Sequence, residues 1–330
     1  NYFPDNFPDV QFEIKKERRV NVECELLKLK QGIRAGNVEP ALYLREWYEW
    51  YMAEGDMERI LKEMEVVFEN CVQIKKYDPF PVEEILRNPD DRIIFQLINT
   101  EQNRQLLEGV PHREFCDLSI IYRVVVDKSL EGLASYIISE DMANRMGKRE
   151  EELFGLAAEN MKHLFPVQIL PAHDVLMKIL EDQEVPEWVL DVGRMVEEGA
   201  PKLYVITNNA HMNGASAILY EEGLHELAEK LEDDLYLLPS SIHEMIAIPA
   251  DDIPPEDLAQ MVYEANQSVV CLGERLSNEV YRYDRRLRTI EAAANTPYKR
   301  LDGFGASLAV GRQAAGDVVR DLGQRVAHGQ

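Results

Sequence analysis

The segment FCDLSIIYRVVVD, Phe115 to Asp127, is followed by the short turn KSLEG and then by LASYIIS. Two apolar, β-branched stretches of strand length joined by so few residues are expected to pair antiparallel, because a parallel pair needs a crossover of a dozen residues or more. The pattern recurs. VQFEI and VNVECELLKL flank the charged turn KKERR, LYLLP and EMIAIP flank SSIH, and NEVYRYDRRLRTIE reads as a small terminal hairpin. KLYVITN and ASAILYE flank NAHMNG, whose Asn213-Gly214 pair is a hairpin signal. A chain whose strands come as hairpins is directed away from a doubly wound parallel sheet.

Helical periodicity fills the intervals. Met57, Ile60, Leu61, Met64, Val67 and Phe68 recur at three- and four-residue spacing, as do Leu153, Leu156, Ala157, Asn160 and Leu164, and again Leu224, Leu227, Ala228 and Leu231. A further helix starts near Pro255. DDRIIFQLINTEQNRQLLEG is read as a helix stopped by Gly109 and Pro111. GLASYIISEDMANRMG, from Gly132, lines up with GASAILYEEGLHELAEK, from Gly214, and ALYLREWYEWYMAEG has a related pattern. The expected fold is α+β: two or three β-β-α modules, mainly antiparallel sheets with helices packed on one face. Residues 1–110 are expected to hold an N-terminal hairpin plus helices, and 111–291 two modules joined by a helical connector at 166–200. Residues 292–330 are read as a Gly-rich tail of poor order, since the last 29 residues hold six glycines and no lysine or glutamate.

The 330 residues carry a net charge of −24, which disfavours nucleic acid and suits a basic protein partner. No apolar run approaches the ~20 residues of a membrane span; the longest candidate, LSIIYRVVVD, is broken by Arg123 and has strand length. The opening NYFPDNFPDV has neither the basic nor the apolar region of a signal peptide. Cys24, Cys71, Cys116 and Cys271 form no C-x-x-C pair, and free thiols in a cytoplasmic protein are expected. Oligomeric state is not legible.

Chemistry-bearing residues concentrate in LLPSSIHEMIAIP, Leu237 to Pro249. Ser241, His243 and Glu244 are the candidate catalytic residues of a hydrolase, but no glycine flanks the serines as in a nucleophile elbow. Ser241 and Glu244 also fit the S-x-x-E capping box, and turn use outweighs catalysis. His243-Glu244 is followed by Ala247, and His225-Glu226 by Glu229, where a zinc-protease helix needs a second histidine; no metal site is expected. No cofactor is expected either, because Walker A and G-x-G-x-x-G motifs are absent and GFGASLAVG comes after no clear strand. Tyr281, Arg282, Tyr283, Arg285, Arg286 and Arg288 form one basic aromatic stretch, read as a solvated hairpin edge.

PALYLREWYEWYMAEG, FQLINTEQNRQLLEGVPHREFCDLSIIYRVVVD, LYLLPSSIHEMIAIPADD and NEVYRYD, in this order over about residues 10–291, resemble an uncharacterised domain family of anaerobic Gram-positive bacteria. A more distant likeness is to another uncharacterised bacillar family that shares the strand-strand-helix plan. The resemblance implies the modular α+β plan and carries over no catalytic residues. The reading is a binding or regulatory module with an acidic surface; the alternative is a hydrolase using Ser241, His243 and Glu244.

Overall fold

The computed structural model describes residues 11–30, 41–73, 82–129, 132–182, 202–250, 253–294, 296 and 300–302. The fold is α+β with antiparallel sheets. The first sheet contains β1 (Gln11–Arg18), β2 (Glu23–Lys30) and β3 (Ala41–Tyr43) in that order. Pairing runs from Gln11↔Lys30 to Arg18↔Glu23, so the turn is Arg19 to Val22. Helices α1 (Leu44–Glu54) and α2 (Met57–Gln73) come after it. Gly55, at φ 74°, supplies the left-handed break between them. Ile60, Met64 and Phe68 of α2 pack with Leu27, Leu42, Trp47 and Trp50, so the helical period and the two tryptophans serve one small core.

The second sheet contains β4 (Ile93–Asn99), β5 (His112–Phe115), β6 (Leu118–Ser129) and β7 (Gly132–Ile137). The long central β6 pairs β4 on one side and β5, then β7, on the other. Short helices α3 (Val82–Arg87) and α4 (Arg104–Leu107) bracket β4. Here the expected helix over DDRIIFQLINTEQNRQLLEG is corrected: its first half is β4. All seven residues of β4 are buried, and a strand buried on both faces lacks the alternation that distinguishes it from a helix. The second sheet thus draws one strand from the 1–110 stretch expected to hold only hairpin and helices.

Helices α5 (Glu140–Met146) and α6 (Glu150–Leu164) come next. Leu153, Ala157 and Met161 of α6 cover the sheet face bearing Phe95, Leu97, Ile120, Tyr122 and Val124. Arg113 grips Glu150 at the start of α6 with two bonds of 3.0 Å, Tyr122 Oη donates to the same carboxylate, and the guanidinium lies 3.9 Å from the centre of the Phe154 ring. The opposite face carries Gln96, Ile98, Ile121 and Arg123; Ile98 and Ile121 are covered by Val20, Leu106, Leu107 and Val110.

The third sheet has the order β13-β12-β10-β11-β9-β8, from β8 (Val167–Pro171), β9 (Tyr204–Asn208), β10 (Leu235–Ser241), β11 (Glu244–Pro249), β12 (Tyr281–Asp284) and β13 (Thr289–Ala292). Its helices are α7 (Ala172–Asp182), α8 (Glu221–Leu231) and α9 (Pro255–Ser268). Leu258, Ala259 and Val262 of α9 pack near Tyr236, Leu238 and Ile248. Leu235, Leu237, Met245, Ala247, Tyr281 and Tyr283 turn to the main core shared with α6 and α8. Among the described residues, no helix is long and apolar enough to cross a membrane.

Three expectations change here. ASAILYE is not a returning strand: Gly214–Leu219 is a 3-10 helix, buried from Gly214 through Ile218 because it fills the space between the second and third sheets. The repeat drawn from Gly214 therefore fails; the order of hairpin then helix occurs in β6-β7-α5 and in β10-β11-α9. The connector expected at 166–200 opens with the strand β8, paired with β9, before α7; residues 183–200 lie outside the described residues. Within the tail expected from 292, Ala294, Thr296 and Leu301 are buried, while 303–330 lie outside the described residues.

Candidate functional site

The turn between β10 and β11 contains Ser241, His243 and Glu244, as the sequence places them. They come together, but Ser241 and Glu244 are used by the turn itself. The His243 backbone N–H donates to Ser241 Oγ at 3.0 Å, a serine turn rather than a serine–imidazole pair. Ser240 Oγ donates to Glu244 Oε1 at 2.9 Å. The backbone N–H of Asn213 donates to His243 Nδ1 at 3.2 Å, which leaves the proton of the neutral ring on Nε2. A Ser-His-Glu triad needs the serine hydroxyl to donate to the ring and the carboxylate to orient it. Neither bond is formed.

The turn instead joins three parts of the chain. Thr207 Oγ1, on β9, donates to the His243 carbonyl at 2.9 Å, and Ala215 N donates to the Ile242 carbonyl at 3.3 Å. Gly214 fits because it has no side chain: a Cβ there would lie 2.2 Å from Thr207 Oγ1 and 2.4 Å from the His243 carbonyl oxygen. Ser216 then accepts from the Leu97 N–H at 3.0 Å, linking the segment to β4. On the other side, Ile242 N donates to the Glu274 carbonyl at 2.7 Å.

A second set of anchors fixes the β1–β2 turn. Asn21 stands at φ 65°, a conformation asparagine tolerates better than most residues. Its side chain donates to the carbonyls of Gly273 at 3.3 Å and Arg275 at 2.6 Å, and it is locked to Asn103 by two further bonds. The turn Arg19–Val22 is thereby fastened to the body, and the turn expected at KKERR is corrected: Lys15 to Arg18 are the end of β1, paired with β2.

Between these anchors lies a groove of about 820 Å³. Its wall includes Asn213, Ile242, His243, Gly273 and Glu274 on one side, and Arg18, Arg19, Val22 and Tyr43 on the other. Its lining also includes Gln96, Arg123 and Ser135 from the second sheet. Arg123 donates from Nε to Ser135 Oγ at 2.9 Å, from Nη2 to the Ser135 carbonyl at 3.0 Å, and from Nη1 to Gln96 Oε1 at 3.2 Å. All three acceptors are neutral. Burial, and then the positive charge of Arg19, pull the Arg123 guanidinium down to about 10. Arg19 is steadied by the Tyr43 ring, 4.4 Å from its Cζ to the ring centre.

The other sequence candidates are accounted for locally. Glu229 lies 3.5 Å from Arg285, and no group of three or more potential metal ligands occurs among the described residues. The solvated hairpin edge expected for the basic aromatic stretch is corrected: β12 pairs with both β10 and β13, Tyr281 and Tyr283 are buried, and Arg282 and Arg288 pair with Asp234 and Glu221. His112 Nδ1 bonds the Val110 carbonyl at 2.9 Å. Cys24, Cys116 and Cys271 are free thiols. Burial and the neighbouring Asp117 push the Cys116 thiol up to about 11, so it is not a thiolate at neutral pH.

Sequence reasoning noticed Arg123 only as the residue that breaks an apolar run. That break was the available signal: one charge in a strand whose flanking residues from Leu118 to Val126 are all buried. No curated protein and no solved structure matches the chain. Residues 1–285 match the model of the family of unknown function DUF5688, and the chain belongs to that family.

Proposed function

We propose that this protein is a ligand-binding module whose site is the groove between the β1–β2 turn and the second sheet. The observation that carries the reading is the division of labour around His243. Ser241 and Glu244 are spent on turn hydrogen bonds, whereas His243 and Ile242 form part of the wall of a groove of about 820 Å³, within the size range of small-molecule sites. The hydrolase reading requires Ser241 to face the imidazole, and its oxygen instead accepts from backbone. Free thiols accord with a cytoplasmic setting, and the charge of −24 suits a basic protein partner on the outer surface.

The test uses Gly273, which lines the groove and has open space where a side chain would begin. The protein and Gly273→Phe are purified in parallel, and the small molecules they retain are identified by mass spectrometry. Retention by the parent and loss in the folded variant is the expected result. Equal retention by both, or retention by neither, overturns the reading.

A further inference from the structure

A guanidinium set into an otherwise buried strand is costly unless a negative charge accompanies it. The neutral oxygens of Gln96 and Ser135 satisfy three of the five N–H groups of Arg123 and leave its charge uncompensated. One N–H on Nη1 and one on Nη2 remain, a pair able to grip the two oxygens of an oxyanion. Arg19 makes the local balance worse, since it is a second positive charge acting on Arg123.

The acids at the rim do not repair this. Glu17 lies 3.8 Å from Arg19 and 3.6 Å from Lys28. Glu274 lines the opposite wall, and no carboxylate bonds Arg123. Of the three arginines lining the cavity, Arg18 lies 4.0 Å from Glu23 and Arg19 3.8 Å from Glu17, while Arg123 bonds neutral oxygens, in a chain whose overall charge is −24. The positive charge of Arg123 is thus available to an anion that enters the cavity.

We propose that the groove binds a small molecule through an oxyanion group, phosphate or carboxylate, gripped by Arg123 at the second sheet and Arg19 at the β1–β2 turn. This rests on the groove being the binding site and adds the chemical class of its ligand. Because Arg19 is carried by the turn that Asn21 and Asn103 fasten, the first sheet supplies half of the grip.

The test is thermal unfolding of the full chain titrated with inorganic phosphate and, separately, with succinate, with sodium chloride at matched ionic strength as the reference. The expected result is a saturable rise in Tm with at least one of the two anions, beyond that given by chloride. The responding anion tells phosphate from carboxylate. Arg123→Gln should abolish the rise, and Arg19→Ala, at an exposed position, should weaken half-saturation about tenfold. Arg19→Ala keeps the test decisive if Arg123→Gln fails to fold. A rise no larger than that with chloride, or one unchanged in Arg19→Ala, overturns the proposal. If the parent but not Gly273→Phe retains only neutral molecules, the oxyanion assignment fails while the groove stands. Loss of that retention difference removes the groove itself.

Discussion

Asn21 and Asn103, 82 residues apart, hold each other by two reciprocal bonds. The Asn21 backbone N–H donates to Asn103 Oδ1 at 2.7 Å, and Asn103 Nδ2 donates to Asn21 Oδ1 at 2.8 Å. Both residues are buried. The first sheet has its own small core, and this pair, together with the bonds of Asn21 to Gly273 and Arg275, docks its turn on the body and sets Arg18 and Arg19 beside the groove.

Asn103→Ala should therefore cost about 2–4 kcal/mol, because it orphans a buried backbone donor as well as removing the bonds. Urea denaturation measures the loss. Hydrogen exchange should show faster opening across residues 11–30 than in the third sheet, since the turn is released before the core.

Gly214→Ala should be among the most damaging small substitutions, costing about 3 kcal/mol or more, because its Cβ would overlap Thr207 Oγ1 and the His243 carbonyl in a packed region. Gly155→Ala is the contrasting case. That glycine lies within α6 with open space at its Cβ position, so alanine should stabilise by about 0.5–1 kcal/mol. Parallel thermal melts of the two variants check both signs.

The Arg113–Glu150–Tyr122 cluster predicts a pH dependence. Burial pushes the Glu150 carboxyl up, but the bonds from Arg113 and Tyr122 outweigh it and hold it below its usual 4.5. A carboxyl lowered on folding contributes stability that is complete above its usual value and lost as the pH falls through the folded one. Glu150→Gln should lower stability at pH 7 by about 1–2 kcal/mol, given partial exposure of the pair, and flatten the acid limb of the stability profile. Denaturant midpoints measured from pH 7 to pH 3 test this.

Ser241→Ala should cost about 1 kcal/mol, the worth of one hydrogen bond to the turn, and should leave retained small molecules unchanged. A large loss of retention with unaltered stability would return Ser241 to the chemistry of the site.

The similarity in motif order has a physical counterpart in contacts. Asp117, in FCDLS, accepts from Tyr281 Oη at 2.6 Å and from Ser277 Oγ at 2.7 Å, so the second sheet meets the stretch SNEVYRYD. Asn103, in INTEQN, meets the first hairpin, and His243, in PSSIHE, meets the Asn213-Gly214 turn. The hairpins and the amphipathic helices were readable because strand alternation and helical period are local signals. The strand β4 was not, since burial on both faces erased its alternation. The 3-10 helix at Gly214 was not either, because an Asn-Gly pair marks a turn and leaves the conformation of the next residues open.

By itself the sequence determined the α+β class, the antiparallel pairing, the position of the Ser241–Glu244 turn and the oddity of a lone arginine in an apolar strand. Each of these depends on residues close together in the chain. Only the tertiary structure decided that Ser241 serves backbone, that Asn21 fastens to Asn103, and that Arg19 and Arg123 meet at one groove. The last two join residues tens to more than a hundred positions apart. They arise from which sheet faces are left uncovered once the cores have formed, and no local pattern carries that information.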